Sequence, residues 1–183
     1  MNLKSEKGID YNQLHNFLQQ KQWRKADEET TKLLLKAANK TIASGFTATD
    51  AGIINCDDIY IIAKLWNIYS NGHFGLFTQA KIYQEVQEDY SNFSIRVGWK
   101  NENQWVAYNN LDWSLNAPRG HLPWIQGRVL YHSSHPDFNF NSFSLALGDI
   151  AFGLLEKWGS MNSPVIHNLV NKIRLCCKHL EIY

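Results

Sequence analysis

Apolar side chains recur every three or four positions along most of this chain, the repeat expected of amphipathic helices. Tyr11, Leu14, Phe17 and Leu18 share one face of a short first helix, which breaks at the polar run Gln19 to Gln22 before Trp23. A second helix is predicted from Arg24 to Asn39. It turns Ala26, Leu33, Leu34, Ala37 and Ala38 inward and places Asp27, Glu28 and Glu29 near its positive end, where carboxylates are favoured. These two helices should form a hairpin. The Gly/Ala/Thr-rich stretch from Thr41 to Cys56 is weakly patterned and reads as a mobile connection. Asp57 or Asp58 can then cap a helix carrying Ile59, Ile62, Leu65, Trp66 and Tyr69, with Ser70-Asn71-Gly72 as its stop.

Phe74-Gly75-Leu76-Phe77 begins another unit, and Ile82, Tyr83, Val86, Tyr90 and Phe93 continue at helical spacing. Phe93 to Trp99 fits a strand as well as a helix, and no other stretch alternates as strands do. Near the end, Leu147, Ile150, Ala151, Leu154, Leu155 and Trp158 mark a helix that Gly159 can terminate. Ser163-Pro164 can open a last helix with Ile166, Leu169, Val170, Ile173, Cys177 and Leu180 on one side. That side is expected to pack on the body of the protein, with peripheral membrane contact or partner binding as the alternatives. The fold class is therefore all-α, a compact helical domain with long loops. Its expected division is a disordered N-terminus over residues 1–10, a helical domain over 11–158 and a C-terminal helical extension over 159–183.

One stretch breaks the helical pattern. Asn103 to Pro136 holds Trp105, Tyr108, Trp113, Trp124 and Tyr131 but only the charges Asp112, Arg119 and Arg128. Pro118, Gly120, Pro123 and Gly127 prevent one uninterrupted helix there, so rings are displayed on irregular backbone that a flat apolar molecule could meet.

Composition narrows the choice. Lys plus Arg number 18 against 17 Asp plus Glu, which supplies no general basic field for nucleic acid. Cys56, Cys176 and Cys177 form neither a paired framework nor a zinc spacing, and the chain reads as reduced and intracellular. Met1 to Asp10 resembles neither a secretory signal nor a transit peptide. His132 and His135 have no obvious third ligand, and Pro136 favours a surface turn there. No phosphate-binding glycine loop, dinucleotide fingerprint or nucleophile elbow occurs, and Asp57-Asp58 is more simply a helix start than an acid/base couple. Nothing argues positively for an enzyme.

Several uncommon strings occur in a fixed order. Trp23-Arg24-Lys25-Ala26-Asp27-Glu28-Glu29-Thr30 is followed by Leu33-Leu34, Leu65-Trp66, Tyr69-Ser70-Asn71-Gly72-His73-Phe74-Gly75 and Gln79. Arg96-Val97-Gly98-Trp99 and Ser114-Leu115-Asn116-Ala117-Pro118-Arg119-Gly120-His121-Leu122-Pro123 complete the series. Together they resemble the genomes-uncoupled-four family, the porphyrin-binding accessory proteins of magnesium chelatase, from about Tyr11 to Pro123. His73, Ile62-Ala63 and Leu76-Phe77-Thr78-Gln79 depart from that family's usual residues.

The resemblance implies a cupped helical fold and a non-catalytic regulator. It would bind protoporphyrin IX and magnesium protoporphyrin IX and act through the chelatase's large porphyrin-binding subunit. It also implies a plastid location, if the protein is plastid-encoded, or otherwise a cyanobacterial cytoplasm, and a monomer is expected. A porphyrin needs a broad apolar floor and cations at its carboxylate edge. Phe74, Val97, Trp99, Leu122, Pro123 and Trp124 are the candidate floor, and Arg119 and Arg128 the candidate propionate partners. Trp66 and Trp99 also suit the core, Arg96 suits holding the loop, and His121 suits locking it by hydrogen bonds rather than ligating a metal, so no metal ligand is named. The alternative function is a protein-interaction module of the same fold that has lost porphyrin binding, or one that binds linear bilins.

Overall fold

The computed structural model describes residues 2–41, 46–102, 104–125 and 151–177, with side chains in the last stretch from residue 164. Helices dominate, as the apolar repeat predicts. Helix α1 (Asn12–Gln19) and helix α2 (Trp23–Ala37) form the expected hairpin. The acidic run, however, does not sit at the dipole's positive end. Because α2 starts at Trp23, Asp27 falls beyond its first turn on the inward stripe with Trp23, Ala26, Thr30 and Leu34, and it is completely buried.

The connection expected to be mobile contains α3 (Ala48–Ile53). Thr47 Oγ1 accepts from the Asp50 amide and Asp50 Oδ2 accepts from the Thr47 amide, so the first turn is closed from both sides. Helix α4 (Cys56–Tyr69) follows, and neither of its aspartates is its N-cap, since Asn55 holds that position. Asp57 instead accepts the Glu6 amide at 2.7 Å, and buried Asp58 accepts the Tyr11 hydroxyl at 2.6 Å. Both acids thus fasten the start of the chain to α4. The segment expected to be disordered carries a Lys4–Asp10 bridge and a buried Ile9.

Helix α5 (Leu76–Glu85) and helix α6 (Tyr90–Arg96) come next, the latter resolving the ambiguous Phe93 region as helical. Asp89 caps α6 by accepting the Asn92 amide at 2.8 Å. A two-residue hairpin, β1 (Lys100–Asn101) with β2 (Gln104–Trp105), leads to a 3-10 turn at Tyr108–Asn110. Large rings knit the centre. Trp66 is fully buried, stacks on Trp23 at 6.0 Å and donates its indole N–H to Thr30 Oγ1 at 2.9 Å.

The two predicted C-terminal helices are one. Helix α7 (Ala151–Cys176) runs through Gly159 and contains Pro164. An internal proline costs about 3 kcal/mol. Burial of Val165, Ile166, Leu169, Val170 and Ile173 beyond it offsets that cost, which is why the local stop signal loses. This face packs on α3, α4 and α5, the body-packing outcome expected for it. Its docking also corrects the reading of the cysteines, because Cys56 and Cys176 form a disulfide with Cα atoms 5.0 Å apart. The two are 120 positions apart, and nothing in their spacing foretells that α7 ends over the start of α4. Among the described residues, no helix is long and apolar enough to cross a membrane.

Candidate functional site

The irregular stretch after β2 is pinned to the helical body by a dense set of bonds. Gln79, buried on α5, donates through one nitrogen to the carbonyls of Gly120 and Pro123, at 2.9 and 2.8 Å. The Gly75 amide donates to the Leu122 carbonyl and the Gly120 amide to the His73 carbonyl, each at 2.8 Å. His73 Nε2 lies 2.8 Å from the Ala117 carbonyl. The backbone approaches so closely that a Cβ on Gly120 would sit 2.8 Å from Ile82 Cδ1, at a φ of +79° that also favours glycine.

His121 locks this loop. Its Nδ1 lies 2.6 Å from the Val97 carbonyl, which can only accept, so that nitrogen carries the proton. Trp99 Nε1 donates to the His121 carbonyl at 2.7 Å. Burial pushes the imidazole's pKa below its ordinary 6.5, while the Val97 bond and the Asp112 charge pull the other way. Its Nε2 is buried without a partner among the described residues. A proton there would meet no acceptor among the described residues.

Asp27 fastens the end of the loop to α2. Its Oδ1 accepts the Trp124 amide at 2.6 Å and its Oδ2 the Tyr108 hydroxyl at 2.8 Å, so one buried carboxyl holds two segments distant in sequence. Tyr108 touches Trp113 at 5.0 Å and Trp124 at 5.2 Å between ring centroids. Arg24 lies over the Tyr108 and Trp113 rings, at 5.5 and 5.9 Å. The indole N–H groups of Trp113 and Trp124 are both buried without acceptors among the described residues.

The predicted site residues separate into two sets. Phe74, Val97, Trp99 and Leu122 are wholly enclosed and Pro123 is buried, so they present no free floor in this structure; they shape and support the loop. Trp124 retains 7% exposure and stands at the edge of the aromatic cluster. Arg119 is exposed, beside exposed Leu115, Asn116 and Pro118. Arg128, His132 and His135 lie outside the described residues. Arg96 does not hold the loop but pairs with Glu85 at 3.3 Å on the surface. Arg24, Leu115 and Asn116 were missed as candidates, although all three lie within the ordered strings quoted above. For Arg24 and Asn116 the usable signal is polarity in strings where a buried scaffold would not need it; apolar Leu115 carries no such signal. Away from the loop, a shallow hollow of about 430 Å³ is lined by Glu85, Val86, Gln87, Asn92, Ile95 and Arg96, and it includes none of the candidate floor residues or propionate partners.

Residues 4–135 match the GUN4-like family model. The chain belongs to the GUN4-like family. It is 33% identical over 124 residues to the Ycf53 protein of Pyropia yezoensis, covering 66% of this chain and 52% of that protein. It is 32% identical over 142 residues to the chloroplastic tetrapyrrole-binding protein of Arabidopsis thaliana, covering 68% and 54%. The chain thus spans about half the length of these curated relatives. Among solved structures, GUN4 from Chlamydomonas reinhardtii superimposes with a TM-score of 0.60 at 30% identity, over 76% of this chain and 97% of that one. Ligand-free GUN4 from Arabidopsis thaliana gives 0.57 at 29% identity, over 70% and 97%. The helical GUN4-like fold is therefore shared, with α7 beyond the segment that the family model matches.

Proposed function

We propose that this chain is a non-catalytic tetrapyrrole-binding regulator. Its ligands are protoporphyrin IX and magnesium protoporphyrin IX, and it stimulates magnesium chelatase, in chlorophyll biosynthesis, through the large porphyrin-binding subunit. A plastid or cyanobacterial setting fits its relatives in Pyropia, Arabidopsis and Synechocystis. Family membership and the printed name of the Arabidopsis relative support the ligand class.

The observation that carries the reading is the division of the loop into a fixed inner face and an exposed outer one. Gln79, His121 and Asp27 hold the backbone, so the outward residues Leu115, Asn116, Pro118 and Arg119 need no rearrangement to be presented. Arg119 forms no ion pair among the described residues, which leaves its guanidinium available to a propionate. Beside them, Trp124 keeps 7% exposure and half-buried Trp113 lies under Arg24. Removing roughly 300 Å² of apolar surface from water gives about 7 kcal/mol gross at about 25 cal/mol per Å². Association entropy cancels several of these, and micromolar to sub-micromolar affinity remains.

Titration with deuteroporphyrin, followed by tryptophan fluorescence, tests the proposal directly. Saturable quenching at micromolar ligand is expected, because several of the chain's indoles lie in or beside the loop. Absence of saturable quenching, with the helical spectrum intact, would overturn the reading in favour of an interaction module that has lost the pigment.

A further inference from the structure

We propose that Cys56 and Cys176 form a thiol–disulfide exchange site that latches the end of α7 to the start of α4 when oxidised and frees it when a dithiol reduces it. Three independent observations meet there. Cys56 is the first residue of α4 and is exposed, while Cys176 is the last residue of α7 and is half-buried, so the bond joins two residues at the protein surface, where a dithiol can approach. Cys177 cannot substitute, since it is fully buried and burial pushes its thiol above the ordinary value. In the last turn of α7, Ile173 and Cys177 are buried, Leu175 is 62% exposed and Arg174 bonds to Glu88, so the disulfide is the covalent one among several anchors there.

Noncovalent anchors, one of them in the last turn itself, would persist after reduction. Arg174 donates to Glu88 at 2.6 Å, His167 lies 3.4 Å from the same carboxylate, and Asn168 donates to the Ala48 carbonyl at 2.8 Å. Glu88 and its partners are partly exposed, which limits what these pairs contribute. Opening would therefore begin at the C-terminal end of the helix and uncover the apolar surface of α3 and α4 beneath it.

The exchange balances without a metal or an oxygen step. One thiolate of the reducing dithiol attacks Cys56 Sγ, the sulfur–sulfur bond breaks, and Cys176 leaves as a thiolate that takes a proton. The reductant's second thiol then displaces Cys56 from the mixed disulfide, so the protein gains two thiols and the reductant becomes a cyclic disulfide. Glutathione disulfide reverses the reaction, ending as two glutathione thiols.

The test uses the full chain without tetrapyrrole, so its outcome is separate from that of pigment binding. After oxidation with glutathione disulfide and unfolding in denaturant, maleimide should label one cysteine, and after dithiothreitol it should label three. Amide hydrogen exchange across residues 164–177 should accelerate at least about tenfold on reduction, since a cross-link closing so long a loop removes much of the freedom of the opened state. Reoxidation should restore the slow rate, Cys177→Ser should keep the response, and Cys56→Ser should abolish it. Three labelled thiols in the oxidised protein, or the same exchange rate in both states of the wild type, would overturn the proposal even if Cys56→Ser does not fold.

Discussion

His121 shows how a single side chain can hold a loop at the cost of sensitivity to acid. The ring is neutral in the folded protein because its proton sits on Nδ1 facing the Val97 carbonyl and because Nε2 is buried without a partner among the described residues. Its pKa lies below the 6.5 of the free side chain, burial being the main cause. Below that pH the unfolded chain takes up a proton that the folded one refuses, so stability rises with pH through this window. The contribution is complete above about pH 6.5 and drains as pH falls, until the depressed folded value is passed. Urea unfolding at pH 7.5 and 5.5 should show a larger loss for the wild type than for His121→Gln, which cannot titrate. Equal losses would mean that the acid sensitivity lies in other groups.

At the scale of elements, the long periodic helices were legible because their signal comes from many residues at once. Trp66, Leu65 and Ile62 on α4 read correctly, as did the hairpin of α1 and α2. What failed were readings in which one or two residues decide. Asp57 and Asp58 look like caps, yet their partners Glu6 and Tyr11 come from the start of the chain, 51 and 47 positions away, and local sequence carries no record of that. Pro164 looks like a helix start, but packing of the side chains beyond it continues α7. Helix α3 is the opposite case, since Thr47-Ala48-Thr49-Asp50 is a recognisable capping box that weak apolar patterning hid. A six-residue helix has almost no cooperative stability of its own, so the cap matters more than in α2 or α4. Thr47→Ala should cost about 1 kcal/mol by thermal unfolding. Hydrogen exchange should quicken first in residues 48–53, because the loss is local, and uniform quickening would show that α3 does not open separately.

At the scale of the whole molecule, the described residues divide into a buried scaffold and an exposed outer face, and this division splits the candidate site that the sequence suggests. Aromatic and apolar residues in an irregular stretch suggest ligand contact, but the same residues are what an irregular segment needs to stay attached to a helical body. Phe74, Val97, Trp99 and Leu122 took that second role. Arg119 is the exposed cation of that almost uncharged stretch, and its contact with a propionate is part of the proposed function. Asp27 and Arg119 therefore make a discriminating pair. Asp27→Ala leaves the Trp124 amide and the Tyr108 hydroxyl without their acceptor, so it should lower unfolding free energy by about 3 kcal/mol and weaken pigment binding only through the distorted loop. Arg119→Glu removes no bond among the described residues and reverses the charge that a propionate would meet, so the melting temperature should stay within a degree or so of wild type. Deuteroporphyrin affinity should nonetheless fall by about tenfold or more, and the loss should shrink as salt is raised. If Arg119→Glu instead lowered melting as Asp27→Ala does, the arginine would belong to the scaffold, and unchanged affinity would place the carboxylate-binding cation elsewhere, with Arg24 above the Tyr108 and Trp113 rings the next to test.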